Sequence, residues 1–398
     1  MNTALLSARK RTGTGELRAL TSMLGEPALA WQVAIAKKFG CERIICLCDA
    51  PIPEIIELQR KFEGQGGEFH AIRSSLQLVA LLRSDDALLM IQDGLIVEPD
   101  LAKSVLVDDG KLRKAILTLE VGSELTEASP ADFERIDATR CWAGIATMRA
   151  AHLQQLADLP SDGDVFSLSL RLALQSRTGM IPLHLDVEPE ADWLLASDAA
   201  SISLREKSLL DRALPAPRWT APFPAIASKL VGMAAKQGYL NVAPASAVIA
   251  GILAIAAIAI VALGYAAIGL SVASLAALFG CFYINASLTK SAIWGEGQAD
   301  VFHRYFRILL DSLAIISLVL ALKFDPIALA SLPIFTVGLF WLAERNASPR
   351  VAPFWNDRTL HLATLAICAA YGVLSEGLAL LGLLALVQSL WRVTKASD

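Results

Sequence analysis

The chain has 398 residues, 55% of them hydrophobic and 19% charged, with a net charge of −4. That composition excludes a disordered chain and is too apolar for an ordinary soluble enzyme. It also excludes a nucleic-acid binder, because neither half carries a strong positive field.

The average conceals two unlike halves. Residues 1–220 hold 24 Lys+Arg and 31 Asp+Glu, whereas 221–398 hold 11 and 8 together with most of the long apolar runs. A soluble, mildly acidic domain followed by a membrane domain fits this split. The six cysteines include Cys46 and Cys48 in a C-L-C run but no C-x-x-C pair. They form neither a disulfide framework nor a zinc site and suit a reducing cytoplasm. The N-terminus has no apolar stretch of signal-peptide length, so the first half is expected to stay cytosolic.

In chain order, TALLSA (3–8) reads as a buried strand and PALAWQVAIAKKFG (27–40) as a helix closed by Gly40. RIICLCD (43–49) is a second strand, and PEIIELQRKFEGQG (53–66) starts on proline and ends in glycine, as helices do. ALLMIQDGLIV (87–97) is a third strand with Asp93 at its end, followed by a helical PDLAKSVLV (99–107). This alternation predicts an α/β domain with mostly parallel strands. Such sheets bind ligands at the carboxyl ends of their strands, which singles out Asp93 and the loop after Ala8.

DRALPAPRWTAP (211–222) is Pro-rich and marks a boundary. We divide the chain into a domain over 1–212, a linker and interfacial helix over 213–240, and a membrane domain over 241–398. In 221–237, Ile226, Leu230, Val231 and Met233 predict one apolar side flanked by Lys229 and Lys236. That suits a helix lying on an anionic leaflet; a plain linker is the alternative. Six apolar segments follow, near 243–263, 266–286, 305–322, 327–343, 360–375 and 377–392, with tight hairpins at 264–265 and 376. With residue 242 in the cytoplasm, ten lysines and arginines fall inside and only Lys323 outside. This sorting predicts six spans with both termini cytoplasmic, where a buried soluble helical bundle, the alternative, would not sort its charges so; the expected location is a bacterial inner membrane.

The order of elements in the first half resembles the nucleotidyltransferase family of sugar-nucleotide and cytidylyltransferases. That family has a first strand, an L-A-A-G-x-G-x-R loop and a K-P-L helix start. Here Leu6-Ser7-Ala8-Arg9-Lys10-Arg11-Thr12-Gly13 and then Gly25-Glu26-Pro27-Ala28-Leu29 stand in those places. Cys141-Trp142-Ala143-Gly144-Ile145 looks like the family's N-A-G-I-Y strand, and Asp192-Trp193 like its W-x-D-V-D segment. The resemblance implies a Rossmann-like domain in which Ser7, Ala8, Arg9, Arg11 and Arg18 face a nucleotide or phosphate and Asp93 binds metal. Departures accompany it. Arg9 and Arg11 replace loop glycines, Glu26 replaces the lysine, and Leu195 or Ser197 falls where a second metal aspartate belongs, with only Asp198 nearby. Arg9, Lys10, Arg11 and Arg18 can hold phosphate as a charge cluster, or simply be a solvated basic loop. Asp93 can equally be a turn aspartate.

Such a domain joined to six helices resembles the bifunctional inositol-1-phosphate cytidylyltransferase and CDP-alcohol phosphotransferase family. The junction Tyr239-Leu240-Asn241-Val242-Ala243-Pro244 and the run Asn356-Asp357-Arg358-Thr359-Leu360 carry that likeness. The membrane motif of that family is D-x-x-D-G-x-x-A-R, a spacer, then G-x-x-x-D-x-x-x-D. The best register places Asn285, Leu288, Thr289, Ala292, Ile293, His303, Arg307 and Asp311 on it. Only Ala292 and Asp311 agree. Residues 243–299 hold a single acid, Glu296, so no shift restores four carboxylates. By resemblance Asn285, His303, Arg307 and Asp311 mark the transfer site, with Asp311 as its remaining metal ligand. Arg307 and Asp311 are four apart, on one helix face, and are placed to pair.

The resemblance therefore implies a relative of enzymes of phospholipid or polyol-phosphate synthesis that is degenerate at both motifs. We expect a pseudoenzyme, a non-catalytic partner or ligand-binding subunit. The alternative is an active divergent phosphotransferase using Mg²⁺ or Mn²⁺, with Asp93 and Asp311 as its acids. A transporter has only the span-three charges behind it, and no inverted repeat. Expected partners are a membrane lipid, CTP or a CDP-alcohol, and a second copy or another membrane enzyme. Small residues four apart, Ala247 with Gly251 and Gly269 with Ala273, offer close helix approach for such pairing.

Overall fold

The structure, a computed structural model, describes residues 1–158, 163–183, 192–197, 199–214, 218–294, 299–322 and 328–396. The chain divides into two compact units, Met1–Ser208 and Leu209–Asp398.

The strands of the first unit are β1 (Asn2–Ala8), β2 (Arg43–Cys48), β3 (Glu68–Ile72), β4 (Ala87–Ile91), β5 (Leu95–Val97), β6 (Ala115–Glu120), β7 (Arg140–Arg149), β8 (Gly179–Pro182) and β9 (Trp193–Leu195). Its helices are α1 (Ala28–Lys38), α2 (Pro53–Glu63), α3 (Ser75–Leu81), α4 (Pro99–Leu106), α5 (Glu124–Ala128) and α6 (Val165–Gln175); α7 (Ala199–Ala213) runs across the unit boundary. Seven strands form one sheet in the order β8-β6-β7-β4-β1-β2-β3. β1 lies parallel between β2 and β4, and β7 runs antiparallel to both its neighbours. Every residue of β2 is buried, as expected where helices cover both faces. Successive residues go to opposite cores: Leu6, Ile44, Leu89 and Leu117 to one, Leu5, Ile45, Leu88 and Ile116 to the other.

The run 87–97 is two strands rather than one. A turn at Gln92-Asp93-Gly94 separates β4 from β5, with Gly94 at φ +75°. A Cβ at Gly94 would lie 2.3 Å from the Arg18 side chain, so both the turn and close approach require glycine there. Asp93 thus leaves the sheet at the carboxyl end of β4 beside the end of β1.

The second unit is helical: α8 (Pro222–Lys236), α9 (Ala243–Ala262), α10 (Ala266–Trp294), α11 (Ala299–Ala321), α12 (Ala328–Asn346), α13 (Ala352–Asn356), α14 (Arg358–Ala370) and α15 (Leu374–Ala396). Helices α9 and α10 and the Leu374–Trp391 part of α15 are long and apolar enough to cross a membrane, with mean hydropathies of 2.7, 2.0 and 1.5. The stretch 287–294, expected as loop, continues α10. Its Thr289 and Ile293 bury the same face as Ala286, which extends the helix. The second hairpin falls at Tyr371-Gly372-Val373 rather than at 376, with Gly372 at φ +74°.

In α8, Ile226, Leu230 and Met233 are 47%, 42% and 56% exposed, whereas Val231 is fully buried with Ala227 and Ala235. The apolar outer stripe is therefore 226-230-233, and Val231 belongs to the opposite, packed side. Gly269 is spent inside the chain: its Cβ would meet Val261 Cγ2 at 2.3 Å and the Ala257 carbonyl at 2.9 Å. Gly280 does the same between α10 and α11, where a Cβ would lie 2.4 Å from Leu310 Cδ1.

Candidate functional site

In the first unit the loop after β1 is organised by Asp93. Its Oδ2 accepts hydrogen bonds from Ser7 Oγ (3.0 Å), the Arg9 N–H (2.7 Å) and the Lys10 N–H (2.8 Å). Its Oδ1 is buried and has no hydrogen-bond partner. Burial pushes the Asp93 carboxyl above its ordinary range, and the Lys10 and Arg9 N–H groups, the Ser7 hydroxyl and the Arg18 charge pull against that rise.

The basic residues near this loop are engaged within the unit. Arg9 Nε lies 3.0 Å from Asp49 Oδ1, and its guanidinium also donates to the Arg73 carbonyl. Arg11 donates to the Gly15 carbonyl at 2.7 Å, in a turn that a bridge between Arg11 and Leu17 closes. Arg18 donates to both oxygens of Asp132, at 2.7 and 3.2 Å. Ser7, Ala8 and Arg9 thus gather at Asp93, Arg18 packs on Gly94 beside it, and Arg11 turns to its own loop. A divalent cation of the expected kind takes about six oxygen ligands. Among the described residues no three His, Cys, Asp or Glu side chains form a metal cluster. Asp93 Oδ1 is the oxygen available beside this loop, and Asp198 lies outside the described residues.

In the second unit a cavity of about 310 Å³ takes Asn285 from α10 and His303, Arg307 and Asp311 from α11 into one lining. The four residues marked by sequence register are therefore brought together. Arg307 and Asp311 do not pair with each other. Arg307 binds Glu344 of α12, Nη1 to Oε1 at 3.0 Å, and its guanidinium stacks 4.5 Å from the Trp341 ring. Asp311 accepts from Arg358 Nε at 3.1 and 3.3 Å and from Trp341 Nε1 at 2.7 Å. Asn285 Nδ2 donates to Ser228 Oγ at 3.4 Å. Ala273, Ala276, Gly280 and Leu362 form part of the apolar wall.

Sequence reasoning missed Arg358 and Trp341 in the cavity lining and Glu344 as the partner of Arg307. In the sequence Arg358 stands out as one of the inside-facing basic residues and within the run before the fifth segment, and its place at a helix start is the available signal. Neighbouring Asp357 caps α14, its Oδ1 accepting from the Leu360 N–H at 3.0 Å. Its other oxygen accepts from the Phe223 N–H at 3.2 Å. The cavity lining sets Arg304, Arg307 and Arg358 against Asp311 and Asp357. The donor set around Asp311 does not fit a divalent cation, because Arg358 and Trp341 already take its oxygens.

Fold and site define an α/β domain with a seven-stranded mixed sheet followed by a helical unit with apolar, membrane-length helices. No protein-family model and no curated protein matches the chain. Among solved structures, the chain is similar to the inositol-1-phosphate CTP transferase from T. maritima, at 13% identity and TM-score 0.38, over 50% of this chain and 91% of that one. It is also similar to a putative glucose-1-phosphate thymidylyltransferase from Bacillus anthracis solved with sucrose, at 11% identity and TM-score 0.40, over 54% and 97%.

Proposed function

We propose that the chain is an integral membrane protein related to CDP-alcohol phosphotransferases, serving phospholipid or polyol-phosphate synthesis as a non-catalytic partner or ligand-binding subunit. In this reading it crosses a bacterial inner membrane six times with both termini cytoplasmic; the ten-to-one sorting of Lys and Arg supports that orientation.

One observation carries the reading. Asp311, the last carboxylate of the expected metal set, is held by Arg358 and Trp341. Metal-dependent transfer needs carboxylates free to hold cations against a diphosphate. A carboxylate neutralised by a guanidinium and an indole N–H cannot take that role. A single observation favours the enzymatic alternative: Asp93 Oδ1 is buried without a hydrogen-bond partner and is an oxygen that Mg²⁺ or Mn²⁺ could use in nucleotidyl transfer.

The test is turnover on detergent-purified full-length protein with CTP, sugar or polyol phosphates, CDP-alcohols and Mg²⁺ or Mn²⁺. No metal-dependent CMP or pyrophosphate release is expected. CMP release that Asp311→Asn abolishes would overturn the non-catalytic reading of the helical unit. Pyrophosphate release that Asp93→Asn abolishes would restore the first unit as an enzyme.

A further inference from the structure

We infer that Asp132 is a resident anion in the first unit: its carboxylate fills the Arg18 guanidinium fork that a phosphate would otherwise take, and so keeps phosphate-bearing ligands out.

Arg18 is the buried cation beside the Asp93 turn, its side chain 8% exposed and its methylenes packed on Gly94. A guanidinium offers parallel donors matched to a carboxylate or a phosphate. In this chain Asp132 takes them at 2.7 and 3.2 Å, and Lys10 Nζ adds charge from 3.7 Å on the same Oδ1. Two neighbouring cations have partners of their own, Arg9 at Asp49 and Arg11 at the Gly15 carbonyl.

Asp132 is fastened in place. Gln92 Nε2 donates to its carbonyl at 2.6 Å, and Gln32 Nε2 donates to the Gln92 and Leu95 carbonyls at 2.6 and 3.0 Å. The next residue, Phe133, is buried in the core with Leu95 and Leu119. Gly144, at φ +88°, leaves room for Gln92; a Cβ there would lie 2.9 Å from Gln92 Oε1. The Asp132 carboxylate is thus a fixed part of the unit, held from the backbone on one side and by two cations on the other. An incoming phosphate would have to displace an anion that is tethered beside the fork and re-forms its pair without the translational cost a free ligand bears.

The test is calorimetric titration of the full-length protein in detergent with inorganic pyrophosphate, with EDTA present. The wild type is expected to show no binding at millimolar pyrophosphate. Asp132→Asn removes the charge and keeps the backbone bond to Gln92, and it is expected to bind at least about tenfold tighter. Adding Arg18→Gln to that variant is expected to abolish the gain, which places the ligand at this fork and not in the helical unit. Asp132→Ser serves as a second opening variant where Asp132→Asn melts early. Arg18 modification by phenylglyoxal, read by mass spectrometry, is expected to rise in either variant and fall again with pyrophosphate. Variants that keep the wild-type melt yet bind no tighter than wild type would overturn the inference. So would wild-type binding that Arg18→Gln removes. CMP release, which tests the helical unit, leaves this inference untouched.

Discussion

Arg358 reaches Asp311 from a different helix, Nε to Oδ1 at 3.1 Å, although Arg307 sits one turn from Asp311 on the same helix. The side chains are 11% and 9% exposed, so the pair is shielded from solvent. Arg307 in turn goes to Glu344. Two crossed ion pairs therefore tie α11 to α12 and α14, where a pair within one helix would have tied nothing.

Breaking one partner should be worse than removing both. Asp311→Asn is expected to lower stability by about 3 kcal/mol, because Arg358 is left as an uncompensated buried charge. Asp311→Asn combined with Arg358→Met should recover most of that loss. Thermal melts of the three proteins in one detergent decide it. Equal melting of the single and double variants would refute an uncompensated Arg358 charge as the cause of the loss.

Gly94→Ala should destabilise the chain by about 2 kcal/mol. The substitution strains a left-handed residue and drives a methyl into Arg18. Loss of helix and sheet signal on heating, followed by circular dichroism, should shift down accordingly. Gly13→Ala, with open space at its Cβ, is the control and should leave the melt unchanged.

Asp93 should make the fold less stable as pH rises. Its folded carboxyl titrates above the unfolded value, so the protonated form is the one favoured in the fold. The stability this group contributes is complete below the unfolded pKa and is lost as pH climbs through the folded one. Asp93→Asn keeps an oxygen for Ser7, Arg9 and Lys10 and removes the charge. Its melting temperature relative to wild type should therefore rise as pH climbs from the ordinary aspartate range through the raised folded pKa. A difference independent of pH would refute the assignment. Asp137 works in the other direction. Arg140 and the Thr139 N–H and hydroxyl hold its carboxyl well below the usual range, so its contribution is present at neutral pH and disappears in acid.

The outer stripe of α8 should sit in lipid. A polarity-sensitive dye on Met233→Cys in nanodiscs should emit to the blue and be quenched by brominated lipid. The same dye on Lys229→Cys should be quenched more by iodide in solution. Identical quenching at the two positions would remove α8 from the membrane surface.

The sequence made the regular parts of both units readable and left their long-range partners hidden. β1, β2, α1 and α2 announce themselves by apolar runs, a proline start and Gly40. The break at Asp93 was harder to see, because LLMIQDGLIV is apolar on both sides of a three-residue turn. Only the φ of Gly94 makes it two strands. At the membrane motif the resemblance marked Asn285, His303, Arg307 and Asp311, and these four line one cavity. Local spacing then suggested that Arg307 and Asp311 pair, since residues four apart share a helix face. Their actual partners, Glu344 and Arg358, lie 37 and 47 positions away. No periodicity encodes such contacts; they depend on how α12 and α14 pack. The Arg18–Asp132 bond, 114 positions apart, was invisible for the same reason. Val231 shows the limit of hydrophobicity itself: it is as apolar as Leu230, yet one faces inward and the other outward.

Gly280 sets the closeness of α10 and α11 at the wall of the cavity, where Leu310 occupies the space a side chain would need. A methyl at this position would turn Leu310 aside into the same lining. The width of the cavity at this point is thus set from the apolar wall, independently of the charges that face it. Chains differing only at position 280 would keep both crossed ion pairs and differ in the width of this cavity.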